Sequence, residues 1–318
     1  MLDAPLCAGF DEISRDSASI AGGKGANLGE LAQAGLPVPP GFVVCTPAYR
    51  QMVETSGVEA DINRLLAGLD RSDSAQLREA EARIRRWFDQ VPLEERLARR
   101  ILERYQALGH NAIVAVRSSA TAEDLAGASF AGQQETFLNV RGGQAVLEAV
   151  RRCWASLYTS QAIFYRRQKG FDRRPVSMAV VVQRMIACEK SGVLFTVDPI
   201  LGNHFQMMIE AVWGLGEGVV SGKITPDSYK IDREDYELIS EFVPKKSVMV
   251  SQNEAGGIET VAVPPEKQSA RVLTEAELIQ LVDLGNRVEA HFGCPQDIEW
   301  GIADGRLYLL QSRPITAM

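Results

Sequence analysis

Two acidic residues, an amide and an arginine lie close together near the end of the printed sequence. Asp297 and Glu299 are separated by one residue, and so are Gln311 and Arg313. Carboxylate and amide oxygens suit Mg²⁺, and a guanidinium suits phosphate. These residue types therefore predict a site for a metal and a phosphate, with a nucleotide as its ligand. The group that receives the phosphate must lie elsewhere.

A tight turn at Asp304-Gly305 would join these segments as a hairpin. With a two-residue loop, residue 303 pairs with 306, and Glu299 and Gln311 fall on opposite faces. Amphipathicity alone favours this register, because it groups the apolar side chains. Shared metal chemistry requires a three-residue loop or a bulge in the ladder. We predict the three-residue loop, residues 303–305, which places Asp297 opposite Gln311.

The segment Gly22-Gly23-Lys24-Gly25 is a second candidate for binding an anion. Glycines before a helix let backbone N–H groups approach an anion, and the helix dipole favours negative charge there. We expect that helix over residues 26–34. The segment is not a Walker A motif, because Gly25 stands where that motif has serine or threonine. A tight turn beside an exposed lysine remains the plainer alternative.

Three further segments carry polar groups beside predicted strands. Arg117 stands at the end of a predicted strand, which would fix the position of its side chain. Residues 129–136 resemble a flap, where Gly132 permits close backbone approach and Thr136 offers a hydroxyl. Gln183 ends an apolar strand and could bond a nucleobase. The alternatives are a solvated arginine, a plain hairpin turn and an edge-facing glutamine.

The elements predicted to position these residues include both helices and strands. Helices dominate the first half of the chain, and strands dominate after about residue 176. This order predicts an α+β fold of two lobes rather than a βαβ repeat, with lobes at 1–187 and 188–318. One long helix is predicted over 275–292, where Thr274 is the N-cap and Glu277 completes a capping box.

Composition narrows the class of protein. The chain has 318 residues, of which 46% are hydrophobic and 24% charged, and its net charge is −7. This acidic balance argues against a general surface for nucleic acid or anionic membrane. Five scattered cysteines, short apolar runs and the lack of an evident signal peptide predict a cytoplasmic protein without nucleic-acid or membrane partners.

Several segments together resemble the phosphoenolpyruvate synthase and pyruvate phosphate dikinase family. The resemblance covers essentially the whole chain in the right order. The segments that carry it are Gly22-Gly23-Lys24-Gly25-Ala26-Asn27-Leu28, residues 35–42, residues 116–124, residues 128–136 and Gln311-Ser312-Arg313-Pro314. Residues 191–199 and 292–300 look closest to the rifampicin phosphotransferase branch of this family.

The resemblance implies an ATP-grasp nucleotide-binding domain, with ATP between its two lobes. Carried over by motif, Lys24, Arg117 and Arg313 would bind the phosphates of ATP and act as the catalytic residues. Gly132 and Thr136 would belong to a flap over those phosphates. ATP and Mg²⁺ are therefore the expected cofactors.

The same resemblance assigns the remaining site residues. Gln183 would contact the base of ATP. Glu299 and Gln311 would hold Mg²⁺, with Asp297 as a helper. Phosphoryl transfer depends mainly on positioning and on neutralising charge, and a metal with three basic side chains supplies both.

Family members pass the β-phosphate of ATP to a histidine on a separate swivelling domain, with AMP and phosphate as products. The phosphohistidine then phosphorylates pyruvate or rifampicin. The printed sequence lacks that histidine domain, so we expect it on the same longer chain or on a separate subunit, with a small molecule as final acceptor. The alternatives are a non-catalytic nucleotide-binding regulatory module and a subunit of a phenylphosphate synthase-like enzyme.

Overall fold

The computed structural model of the protein describes residues 4–70, 73–121, 135–168, 177–199, 201–220, 222, 224–253 and 257–315. Gly132 and the rest of the expected flap before residue 135 lie outside the described residues. In the described part, no helix combines the length and the hydrophobicity needed to cross a membrane.

Helices and strands are mixed along the chain, which confirms the predicted α+β class. The helices are α1 (Ala18–Gln33), α2 (Thr46–Ser56), α3 (Val58–Ala67), α4 (Ser74–Gln90), α5 (Glu95–Ala107), α6 (Gly143–Ala155), α7 (Ser160–Gln168), α8 (Glu217–Val220) and α9 (Glu275–Phe292). The strands are β1 (Cys7–Gly9), β2 (Gly41–Val44), β3 (Ile113–Ala120), β4 (Thr136–Arg141), β5 (Met178–Arg184), β6 (Lys190–Phe195), β7 (Gln206–Trp213), β8 (Asp227–Asp232), β9 (Leu238–Phe242), β10 (Val248–Gln252), β11 (Ile258–Ala262), β12 (Gln296–Ala303) and β13 (Arg306–Pro314). The ladders between these strands are antiparallel.

The first compact unit comprises Met1–Gln33 and Pro40–Met185. Its sheet has the order β1-β2-β5-β3-β4. One face packs against helices α2 to α6, and alternate strand residues such as Val116 and Val182 enter that core. Helix α1 contacts β2, β3 and β5, and the side chain of Val43 on β2 lies against Gly25. Arg117 and Gln183 alternate with these core residues along their strands. Their side chains therefore belong to the opposite face of the sheet, which helix α1 contacts.

The second compact unit comprises Ala34–Pro39 and Ile186–Met318. Its sheet has the order β13-β12-β6-β7-β8-β9, and β10 and β11 form a separate hairpin. Helix α9 packs on one face, where Gly285 lies against side chains of β6 and β7. The predicted capping box is confirmed: Glu277 N donates to Thr274 Oγ1 (3.3 Å), and Thr274 N donates to Glu277 Oε2 (2.7 Å).

Ser119 of β3 locks helix α1 onto the first sheet. The helix is interrupted at Gly22, whose φ of 67° and ψ of 168° are accessible essentially to glycine alone. The Ser119 hydroxyl donates to Ala21 O (2.9 Å) and accepts from Gly25 N (3.1 Å). The helix thus begins at Ala18, earlier than the predicted residue 26, and the glycines lie at a break within it.

We predict that Gly22→Ala destabilises the protein far more than Gly57→Ala. Both glycines have positive φ, but a Cβ at Gly22 would lie 2.3 Å from Ser119 O, whereas nothing lies within 4 Å of a Cβ at Gly57. We expect a cost of about 1 kcal/mol at Gly57 and at least about 3 kcal/mol at Gly22. Thermal unfolding followed by circular dichroism measures the difference, and equal losses would contradict the proposed overlap.

Candidate functional site

The turn between β12 and β13 contains two residues rather than three. Asp304 and Gly305 have φ values of 50° and 68°, and Ala303 pairs with Arg306. Positive φ at both central residues is typical of a type I′ hairpin turn, whose twist matches that of the strands. The prediction of a three-residue loop, with residue 302 opposite 306, was therefore wrong.

A bulge in the same hairpin restores the alignment that metal chemistry requires. Trp300 pairs with Leu309, whereas Glu299 pairs with Gln311, so Leu310 is the extra residue. Residues directly opposite each other in an antiparallel ladder point to the same face. The carboxylate of Glu299 and the amide of Gln311 therefore share a face. The cause is the bulge in the ladder, which was the alternative to a three-residue loop.

Asp297 lies opposite Arg313, not opposite Gln311 as predicted. Its Oδ2 accepts a hydrogen bond from Arg313 Nε (2.8 Å) and forms an ion pair with Arg313 Nη2 (2.7 Å). Burial raises the pKa of Asp297; Arg313 opposes this shift, and Glu299 adds to it. The Arg313 side chain itself is 61% exposed. Asp297 therefore orients the guanidinium and leaves it accessible to an anion.

Sequence reasoning missed one acidic residue on this face, Glu210 of β7. Glu299 pairs with Val193 of β6, and Val193 pairs with Glu210, so the three residues form one row across the sheet. Burial, and after it the charge of Asp297, raises the pKa of Glu210. Glu210 is flanked by apolar strand residues, and the sequence alone does not indicate that β7 lies two strands away from β12 in the same sheet.

The pair Glu299 and Gln311 fits a magnesium ion whose other ligands would be phosphate oxygens and water. In the described part of the chain, no group of three histidine, cysteine, aspartate or glutamate side chains is arranged to hold a metal. Mg²⁺ in phosphate-transferring sites usually takes one or two protein carboxylates, with phosphate oxygens and water completing its shell. The Glu299 carboxylate and the Gln311 amide oxygen match that limited donor set.

In the first unit, β3 and β4 place Arg117 and Thr136 side by side. The two residues are direct partners in the ladder, so their side chains share a face. Strand β3 continues to Ala120, so Arg117 lies within the strand and not at its end as predicted. Strand pairing on both sides fixes the Arg117 backbone more firmly than a strand end would, because β5 pairs with β3 along its other edge.

Lys24 lies beside this pair. Its Nζ donates to Ser118 O at 3.2 Å, and Ser118 directly follows Arg117. The position of Lys24 follows from the Ser119 lock, which holds the neighbouring Gly25 N–H. The structure therefore brings Lys24, Arg117 and Thr136 together, and two of these three side chains carry positive charge.

Gln183 lies on the same sheet face. Arg117 pairs with Val181, and Gln183 is two residues further along β5. The side chain is only 2% exposed, and its Nε2 is buried without a hydrogen-bond acceptor in the described part of the chain. A buried amide donor without an acceptor costs free energy, so it is best explained by a ligand that supplies the acceptor.

The predicted site residues thus form one group in each unit. Lys24, Arg117, Thr136 and Gln183 belong to the first unit, and the second group occupies the hairpin of the second unit. Gly132 lies outside the described residues, so its expected role in a flap stays a prediction.

Comparison with known proteins identifies the family of the chain. The family described as "Pyruvate phosphate dikinase, AMP/ATP-binding domain" matches residues 18–318. The chain is 47% identical over 314 residues to a probable phosphoenolpyruvate synthase of Methanothermobacter thermautotrophicus, a match that covers 97% of this chain and 46% of that protein. It is 42% identical over 310 residues to the rifampicin phosphotransferase of Bacillus cereus, covering 97% and 36% respectively.

A phosphoenolpyruvate synthase of Pyrococcus furiosus is also similar, at 41% identity, with 97% of this chain and 43% of that protein covered. The chain therefore spans less than half the length of these curated relatives. The resemblance predicted from the motifs is confirmed. The chain belongs to the family of the pyruvate phosphate dikinase AMP/ATP-binding domain.

Proposed function

We propose that the chain is the ATP-binding part of a dikinase-type phosphotransferase with an ATP-grasp fold. In the proposed reaction, ATP, water and a histidine give AMP, phosphate and a phosphohistidine that carries the former β-phosphate. The histidine belongs to a swivelling domain on the same longer chain or on a separate subunit. The phosphohistidine then passes its phosphate to a small molecule, pyruvate or rifampicin in the named relatives' chemistry.

The observation that carries the proposal is the bulge at Leu310. It aligns two metal-type donors, Glu299 and Gln311, beside a guanidinium that Asp297 orients. A hairpin needed only for stability gains nothing from this arrangement, because a regular ladder would pair as well and would keep its hydrogen bonds. The arrangement suits a metal–triphosphate ligand.

The chain's own residues would bind the phosphates of ATP and the magnesium ion. Lys24, Arg117 and Arg313 would bind the phosphates and neutralise charge, and the Thr136 hydroxyl would donate to a phosphate oxygen. Bound Mg²⁺, held by Glu299 and Gln311, would neutralise further charge on the phosphate oxygens. Such groups act by electrostatic positioning, which is the main source of catalysis in phosphoryl transfer.

The length of the relatives supports a histidine domain outside this chain. More than half of each compared protein lies beyond the matched part. In the described part of the chain, neither group of site residues contains a histidine. The proposed phosphohistidine therefore needs a histidine from outside these two groups.

We predict that Glu299→Gln weakens magnesium-dependent ATP binding about tenfold, as expected for the loss of one charge-assisted contact. The change keeps the size of the side chain and removes its charge. Isothermal titration of the 318-residue chain with ATP and Mg²⁺ measures the effect. Glu259→Gln, on the exposed hairpin strand β11, is the matched control and should change nothing.

Repeating the titration with EDTA separates metal binding from other losses. EDTA should weaken ATP binding by wild type, and it should weaken binding by the Glu299→Gln variant less, because the variant has already lost one contact to the metal. An unchanged affinity of the variant in Mg²⁺ would remove Glu299 from the site. If wild type binds ATP but forms no AMP when a histidine domain of a related protein is added, the regulatory-module alternative replaces the catalytic one.

We predict opposite effects of Gln183→Met on stability and on binding. Methionine fills a similar volume without the unsatisfied amide donor, so the ligand-free protein should be as stable or more stable by about 1 kcal/mol. ATP affinity should fall about tenfold, because the contact to the base is lost. Chemical unfolding and titration of the same samples measure both quantities.

Gln296→Met provides the contrasting control. Gln296 is fully buried, and its amide accepts from Ser312 Oγ (2.7 Å) and donates to Cys294 O (3.1 Å). Its replacement should lower stability, since bonded partners lose their contacts. Loss of stability in Gln183→Met, on the same scale as in Gln296→Met, would mean that the Gln183 amide has a structural role.

A further inference from the structure

The backbone that presents Thr136 to Arg117 is only weakly held by its own ladder. Between Val114 and Val116 the pairing of β3 with β4 shifts, so that β4 carries an extra residue, and Asn139 there has a φ of 56°. Only two ladder pairs, ending with Arg117 and Thr136, lie between that bulge and the start of β4. A strand end held by so few pairs frays readily unless other contacts fix it.

Glu135, which directly precedes β4, supplies such contacts. Its carbonyl oxygen accepts hydrogen bonds from Ser118 N (3.1 Å) and Ser118 Oγ (3.2 Å). Its carboxylate forms an ion pair with Arg85 of helix α4, through Oε1 and Nη2. The other carboxylate oxygen, Oε2, is buried and accepts no hydrogen bond in the described part of the chain. The Glu135 charge therefore depends on Arg85 for its compensation.

Arg85 is itself held in place by a second carboxylate. Glu81, one helical turn earlier, lies 3.4 Å from Arg85 Nη2. Glu81 Oε2 accepts from both the backbone N–H (2.8 Å) and the hydroxyl (2.6 Å) of Ser160, at the start of α7. Burial alone would raise the pKa of Glu81, but the bonds from Ser160, and then Arg85, hold that pKa below its usual value. The guanidinium thus lies between two charged carboxylates.

We propose that Arg85 is a positioning residue for ATP binding, which acts through Glu135 to hold Thr136 beside Arg117. The inference rests on the proposed function, since it assigns Arg85 no contact with ATP. Without Arg85, the half-buried Glu135 carboxylate would turn toward water and draw the start of β4 away from β3. Thr136 would then lose its position relative to Arg117, although both side chains remain present.

The test compares Arg85→Ala with Arg86→Ala on the same helix. Arg86 is exposed, and its Nε donates to Ala82 O (3.3 Å) within α4, so it serves as the matched control. Titration with Mg²⁺ and ATP should show an affinity about tenfold weaker for Arg85→Ala and unchanged within about twofold for Arg86→Ala. Arg85→Lys keeps the charge and should recover most of the affinity.

A double-mutant cycle distinguishes positioning from general destabilisation. If Arg85 acts by placing Thr136, then Arg85→Ala should have little further effect on affinity in a Thr136→Ala background. Additive losses, or a lowered unfolding temperature with unchanged ATP affinity, would overturn the inference. If Arg85→Ala misfolds, the same cycle with Arg85→Gln, which removes the charge but keeps much of the side chain, gives the second reading.

Failure of this inference differs from failure of the proposed function. If wild type binds no ATP in the presence of Mg²⁺, both are overturned. If wild type binds ATP and Glu299→Gln weakens it, but Arg85→Ala binds as wild type does, only the role of Arg85 is overturned.

Discussion

Alternation of side chains along a β-strand is the constraint on which the hairpin depends. Neighbouring residues point to opposite faces, so a register change of one residue moves a whole set of side chains across the sheet. The two-residue turn would leave Glu299 and Gln311 on opposite faces, and the extra residue Leu310 corrects this. A local irregularity in the backbone therefore decides whether four well-chosen side chains can act together.

In the first unit, a hydroxyl group positions the candidate site residues. Ser119 belongs to β3, two residues after Arg117, and its Oγ bonds the backbone of α1 on both sides of the Gly22 break. Lys24 lies between that break and Gly25, and its Nζ donates to Ser118 O of the same strand. The positions of Lys24 and Arg117, 93 residues apart in sequence, thus both depend on β3.

The sequence was sufficient to predict features that depend on local chemistry. Helix α9 follows from its capping box at Thr274 and from Gly293, whose φ of 70° ends it. The α+β class and the family followed from element order and motifs. The bulge at Leu310 could not be derived, because a ladder's irregularity is set by packing against both neighbouring strands.

Long-range pairing explains the other omissions. Arg85 and Glu135 are 50 positions apart, and nothing local marks them as partners. Arg117 was expected at a strand end because the hydroxyls after it suggest a loop, yet Ser118 and Ser119 are buried within β3. The strands β9 and β11 went unpredicted, because their residues are largely exposed and lack a clear apolar alternation.

The compensation between the turn and the bulge also limits how this hairpin can change over evolution. A loss or gain of one residue between Glu299 and Gln311 would shift the metal-type donors to different faces, whereas a change of two residues would keep them together. Where the two-residue turn and the bulge are both kept, length changes in this segment should therefore be tolerated in even steps. In a related chain, an odd change in the length of the hairpin then implies a compensating change in its turn or its bulge if the donors still meet.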